Sequence, residues 1–425
     1  MIILQGLLAV ALAAADDSVP PPPQIVERVY SLEEAQRLSR QNDARLLSAE
    51  QDTRIASARE TEARLQFLPE LGLQASATKF DARYPFALSG ESRNILLFPG
   101  APENIYSGRG YWYMSIYEGG KQINTLRLAQ AYRKQATSNF ESVKRDVQLA
   151  TKEAFFRLLL DQEKLSAARK HQETVEAARR ADAANAWEKI EIESLAEEAR
   201  SAGAEAAHDL DMSKLAFLKS LNLELDTPFR VIGALEPRNQ EIDVRKAVLW
   251  AMELRPELQS ETYKAQMDAI SVNLALGRRT PTLFVAGDYE LTGHKFPLKQ
   301  NNWDATMGIK IPFSYDFYSQ LQQKRAEQRQ GQLKRAELQD RVRLEVRQAH
   351  ENLRYWQTEF PLRQAHLKRV RSLYEEAGRA PGNHLARARA SSALTRNQNA
   401  YFSAVTEQIL AMAKLEWAVG RELSK

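Results

Sequence analysis

Apolar positions along this chain change period in the same order in each half. From about Ser31 to Leu68 they recur at helical spacing, with Ser31 and Glu34 three residues apart as a capping box ahead of the run. Pro69 stops the helix. Leu71, Leu73, Ala75 and Ala77 then alternate with Gly72, Gln74, Ser76 and Thr78, the period of two that marks a strand. The stretch from about Asp81 to Gly110, rich in Pro, Gly and Ser, predicts a loop. Beyond it Trp112, Met114 and Ile116 alternate with Tyr111, Tyr113 and Ser115. Gly119 and Gly120 open a second helical run to about Asp182. In it Val143, Val147, Ala150, Ala154 and Leu158 are spaced close to a heptad seam. A helix of about 60 residues is ~90 Å long, more than a compact domain needs. A break near Ala183 to Trp187 precedes a further helix to about Leu223.

A linker with Pro228 and Pro237 leads into a second copy. Ala35, Leu46, Pro69 and Leu71 recur 212 residues on as Ala247, Leu258, Pro281 and Leu283. Ala131, Ala154, Leu158 and Gln162 recur 195 residues on as Ala326, Ala349, Leu353 and Gln357, because the first copy carries a longer insertion between its strands. Strand alternation returns at Leu283 to Leu291 and at Trp303 to Ile311, and Val342, Val346, Ala349, Leu353, Trp356 and Phe360 keep a strict heptad spacing. A break at Gly378 to Gly382 precedes a last helix ending near Gly420. The expected organisation is a repeat over 31–223, a linker over 224–242 and a repeat over 243–425. Strands are expected near 71–80, 111–117, 283–292 and 303–312, and helical hairpin tips near 183–190 and 378–385. A tandem duplication of this size means one architecture built twice.

Composition adds less. A net charge of +4 over 425 residues, with basic and acidic residues alternating along helix faces, gives no case for nucleic acid. Cysteine is absent, which excludes disulfides, thiolate metal sites and a lipidated N-terminal cysteine. Ile2 to Leu12 is a short apolar run followed by Ala13, Ala14 and Ala15, read as a signal peptide over 1–15, although no Lys or Arg precedes the run. Residues 16–30, with Pro20 to Pro23, are expected to be an extended leader rather than folded.

The predicted strands have the length of tilted membrane-spanning β-strands. Aromatics gather near their ends, at Tyr84, Phe86, Tyr106, Tyr111 and Trp112 in copy one and Phe296 and Trp303 in copy two, as in an interfacial girdle. The same alternation would serve a soluble four-stranded sheet packed on helices. The long rods favour the membrane. An open sheet edge is not tolerated in a bilayer, and barrels start at about eight strands, so several chains must contribute. The product would be a hollow oligomeric conduit.

With Ser31 to Ala35, Leu68-Pro69, Glu118 to Lys121, Ile311 to Phe313 and the duplication itself, the chain resembles the TolC-like outer membrane efflux family. The resemblance spans essentially the whole mature sequence. It implies a mainly α fold with a membrane β-barrel: a homotrimer whose twelve-stranded outer membrane barrel continues as a long periplasmic α-barrel. It also implies docking to a periplasmic adaptor and an inner-membrane pump in a Gram-negative envelope, with efflux or type I secretion as the function. At the tips the family carries a glycine with a leucine about seven residues on. Gly378 and Leu385 match, whereas Ala183 and Ile190 stand at the first tip. The family's acidic aperture ring is missing: the stretch after the second tip holds His384, Arg387 and Arg389, and the first tip is acidic instead, with Glu188 and Glu191. Pairing of Arg387 or Arg389 with that acidic stretch would hold the periplasmic end closed.

Catalytic chemistry is not in view. The six histidines show no ligand spacing, and phosphate loops, GxSxG and dinucleotide fingerprints are missing. No enzyme, cofactor or metal is expected. The rival readings are a periplasmic coiled-coil adaptor or envelope scaffold, opposed by two hairpins and only four clear strands, and a soluble helical enzyme.

Overall fold

The computed structural model describes residues 28–79, 104–181, 186–237, 239–313, 315–377 and 384–423. The expected signal peptide, Tyr84 and Phe86 lie outside them. The first repeat runs α1 (Leu32–Asn42), α2 (Ala44–Leu65), β2 (Glu70–Lys79), β3 (Asn104–Glu118), α3 (Lys121–Arg180) and α4 (Ala186–Ser220). The second runs α5 (Val244–Leu254), α6 (Pro256–Gly277), β5 (Thr282–Gly293), β6 (Gln300–Lys310), α7 (Phe317–Ala377) and α8 (His384–Val419). Two short strands, β1 (Arg28–Tyr30) and β4 (Phe229–Val231), complete the described elements.

Three elements differ from the sequence reading. The leader does not stay unfolded to residue 30: β1 pairs in parallel with β4, inside the stretch expected to be a linker. Burial explains it, since the Tyr30 ring packs on Phe217 and Phe229 and joins a core with Phe155 and Leu158. Three-residue strands carry no readable period.

The first helix of each repeat is two helices. Asp43 adopts an extended conformation and its carboxylate accepts from the Arg45 and Leu46 amides, capping α2. In copy two Arg255 adopts the same conformation ahead of Pro256, because a residue before proline is pushed out of the α region.

The third difference is β3, which begins at Asn104 rather than near 111. Gly108 and Gly110 read as loop residues, yet both lie in ladder register. Glycine earns its place in this sheet through space for a neighbour. A Cβ at Gly72 would lie 2.2 Å from the Tyr111 ring, one at Gly287 2.7 Å from Trp112 and one at Gly308 2.5 Å from Phe284. Each is a cross-strand pair in register, an aromatic lying across a glycine.

The strands form one sheet in the order β2-β3-β5-β6, antiparallel throughout. Gly119 and Gly120, with φ of 61° and 74°, turn the chain from β3 into α3 in a conformation that side chains resist. The rods α3 and α7 are 60 and 61 residues long, so each reaches ~90 Å. Each repeat has its own core. In copy one Phe155, Leu158, Phe217 and Leu221 are buried together; in copy two Val342, Val346, Ala349, Leu353 and Leu415 are. Val342, Val346, Ala349, Leu353 and Phe360 of the copy-two heptad are therefore buried as a seam, with Trp356 half-buried. In copy one Val147 and Leu158 are buried, while Val143, Ala150 and Ala154 are half-buried.

Candidate functional site: a two-faced sheet and the hairpin tips

Alternation places the two sides of the sheet in different chemistry. Residues in register share a face, so Leu71, Leu73, Trp112, Met114, Tyr289, Trp303, Met307 and Ile309 fall on one side. All are exposed, Leu73 at 93% and Trp303 at 72%. A soluble sheet would cover such a surface, because a contiguous apolar face this large marks an interaction site. The other side carries Gln74, Ser76, Arg109, Ser107, Asp288, Glu290, Asn302 and Asp304. Arg109 Nε donates to Asp288 at 2.6 Å, the Ser107 hydroxyl donates to Glu290 at 2.6 Å, and the Asp288 amide donates to Asp304 at 3.2 Å. Tyr111, grouped with Trp112 and Trp303 in the sequence reading, lies on this polar side, over Gly72. A period of two sends adjacent residues to opposite faces, so Tyr111 and Trp112 cannot share one.

Among the described residues the outer strands of the sheet, β2 and β6, each have a partner on one side only, which leaves two free sheet edges, one per repeat. Among the described residues no helix is long and apolar enough to cross a membrane.

At the far end of the rods the first hairpin closes over an alanine-rich seam. Val175 and Ala178 of α3 pack with Ile192, Ala196 and Ala199 of α4, and Ala388 and Leu385 of α8 join them. The two hairpins thus touch near their tips. Arg179 grips Glu193 with two hydrogen bonds of 2.9 Å inside the first hairpin. Between the hairpins, Arg389 pairs with Glu191, and His171 Nδ1 lies 2.7 Å from the Ser391 hydroxyl. Burial lowers the His171 pKa, opposed by the Glu198 charge, so its ring is neutral near pH 7.

Of the residues expected at the tips, Ala183 and Gly378 lie outside the described residues. Ile190 is exposed on the first turns of α4 and Leu385 is half-buried against the alanine seam. His384 and Arg387 are exposed, and Glu188 is half-buried. His171, Ser391, Arg179 and the polar-face cluster of Arg109, Asp288, Glu290 and Asp304 belong to no motif in the sequence. The cluster did have a signal, the charged alternate positions of β5 and β6. Arg109 was masked by its glycine neighbours. Among the described residues no group of three or more His, Asp or Glu could hold a metal ion.

Solved structures with this arrangement include outer membrane channels. The chain superimposes on the CmeC outer membrane channel of Campylobacter jejuni with a TM-score of 0.80, at 16% identity over 93% of this chain and 87% of that one. It superimposes on the outer membrane protein VceC of Vibrio cholerae with a TM-score of 0.73, at 15% identity over 92% and 97%. The open state of the Neisseria gonorrhoeae MtrE outer membrane channel gives 0.73, at 15% identity over 92% and 89%. No protein-family model and no curated protein matches the sequence. The fold is that of the TolC-like outer membrane efflux channels.

Proposed function

We propose that the chain is the outer membrane conduit of a tripartite efflux or type I secretion system, passive in itself and driven by an inner-membrane pump through a periplasmic adaptor. The observation that carries the reading is the sheet. It has one exposed apolar face, one polar face and two free edges, and it stands on rods of ~90 Å. Backbone groups at a free edge have no partner in lipid, so the edges must be joined to other copies. Three chains would supply twelve strands and close the barrel with the apolar face to lipid and the Arg109–Asp288 face to the lumen. The tip stretches near 183–190 and 378–385 would meet the adaptor. Trp112 and Trp303, on the apolar face with Tyr289, would meet lipid. On this reading the chain performs transport and no catalysis.

Recovery from detergent-extracted outer membranes as a heat-modifiable trimer is the expected result. A wholly soluble monomer would overturn the reading. The Arg389–Glu191 pair supports a closed periplasmic end, with Arg387 nearby on the same helix. In planar bilayers Arg387→Glu and Arg389→Glu channels should conduct more than the parent. Unchanged single-channel conductance in both would refute the gate.

A further inference from the structure

The four helices that carry the strands stand in a row, α2, α3, α6, α7, each packed on the next. Its middle junction, α3 on α6, is where repeat one meets repeat two. There the Ser260 hydroxyl donates to Asn139 Oδ1 at 2.7 Å, the Ser142 side chain hydrogen-bonds the Glu257 carboxylate, and Arg145 sits in the field of Glu257. By the internal repeat α2 is the counterpart of α6, 212 residues earlier, and α7 the counterpart of α3, 195 residues later. The counterpart of the α3–α6 junction is therefore α7 on α2. Within one chain those two helices stand at opposite ends of the row.

We propose that α7 of one copy packs on α2 of the next through a charge-inverted version of the internal junction. The inference rests on the trimeric reading above. Glu257 corresponds to Arg45, Arg145 to Asp340 and Ser142 to Glu337. Inside the chain Glu257, which bonds Arg255, also lies in the field of Arg145; at the ends of the row Arg45, which bonds Asp43, would meet Glu337 and Asp340, which pair with Arg341 and Arg343 on their own helix. Both signs have changed together, which keeps the pair complementary. Ser260 and Asn139 correspond to Ser48 and Lys334.

Burial points the same way. Ser138 in the internal junction is 7% exposed, but its counterpart Leu333 is 59% exposed, a large apolar side chain where the repeat has a covered one. Ser260 is buried and its counterpart Ser48 is exposed. The occupant that fits is a second copy of this chain. The free helical ends carry the free strand edges too, since α2 leads into β2 and β6 leads into α7. One docking event would pair both.

The natural absence of cysteine makes the test clean. A chain carrying both Ser48→Cys and Lys334→Cys, treated in outer membranes with a short bis-methanethiosulfonate linker, should give reductant-sensitive covalent dimers and trimers. Each single variant should give monomer on the same gel. The control pair Ser48→Cys with Glu327→Cys lies about two turns away, ~10 Å along α7, and should link poorly. Light scattering in detergent separates the two ideas. A trimer that links at 327 rather than 334, or at neither, overturns the junction and leaves the conduit standing. A monomer overturns both.

A charge cycle checks the sign. Arg45→Glu should lower the trimer-to-monomer ratio by about twofold to fivefold, and adding Glu337→Arg with Asp340→Arg should restore it. Circular dichroism confirms that the helices are intact. No restoration in a folded protein would overturn the proposal.

Discussion

The two repeats make the same turn between their first two helices with opposite charges. Asp43 and Arg255 share one backbone conformation, φ −64°, ψ 119° against φ −68°, ψ 125°. Two residues on, Arg45 answers Asp43 and Glu257 answers Arg255. The hairpins show a second exchange. Copy one lays Tyr111 of its second strand over Gly72 of its first, while copy two lays Phe284 of its first strand over Gly308 of its second. The backbone demands a break and a close cross-strand contact, and each can be met from either side of the pair. What the fold conserves is complementarity, and the individual side chains are free to change together.

The exchange at the turn also changes what holds it. In copy one the turn depends on the Asp43 carboxylate, because Ala44 imposes nothing on the residue before it. In copy two Pro256 sets the turn, so the side chain at 255 is released for another task. Arg255 is 4% exposed, bonds to Glu257 at 3.3 Å and to Glu345 at 2.5 Å, and lies over the Trp417 ring at 4.8 Å. A helix cap in one repeat stands where the other has a buried ionic hub.

Breaking the hub should cost most. Arg255→Ala leaves Glu257 and Glu345 without their cation and should lower unfolding stability by about 3–5 kcal/mol in urea titrations of the purified protein. A loss under 1 kcal/mol would make the two turns equivalent. The hairpin exchange comes next. Gly72→Phe drives an aromatic into the Tyr111 ring and should cost about 1–3 kcal/mol, read as a lower yield of heat-modifiable oligomer. Gly72→Phe with Tyr111→Gly reproduces the arrangement of copy two and should recover that yield.

Removing the copy-one cap is a smaller change. Asp43→Ala should cost about 1 kcal/mol, and Ala44→Pro in the same chain should recover most of it by setting the turn as Pro256 does. The turn has a pH signature as well. Burial opposes the charge on Asp43, but the Arg45 side chain and the Arg45 and Leu46 amides outweigh it and hold its pKa below the ordinary value. A depressed folded pKa stabilises above the unfolded carboxylate range, and that contribution disappears as pH falls through the folded value. The advantage of the parent over Asp43→Asn should therefore shrink below about pH 4. Smallest of all is the tip pair. Arg389→Glu should cost no more than about 1 kcal/mol of stability, since both partners are partly solvated, and its effect belongs in conductance.

Much of this architecture is written locally. The prolines at 69 and 281 end helices, alternation over eight residues makes a strand, and heptads over dozens of residues make a rod. Each of these depends on neighbours in the chain, and the duplication states each of them twice. The sequence also carried the acidic first tip and the basic second tip. It did not carry which residues would meet. Arg389 and Glu191 lie on different hairpins, and so do His171 and Ser391.

β1 exists because Tyr30 finds a core formed by residues far along the chain. β3 extends back to Asn104 because Gly108 and Gly110 face strands on both sides, which overrides their preference for turns. Tyr111 and Trp112, adjacent in sequence, separate to opposite faces once register is set. The sequence by itself determined the elements, their order and their repetition, through periodicity and backbone stereochemistry. Only the tertiary structure decided faces, register and ion-pair partners, because these are contacts between segments whose separation along the chain holds no trace of their meeting.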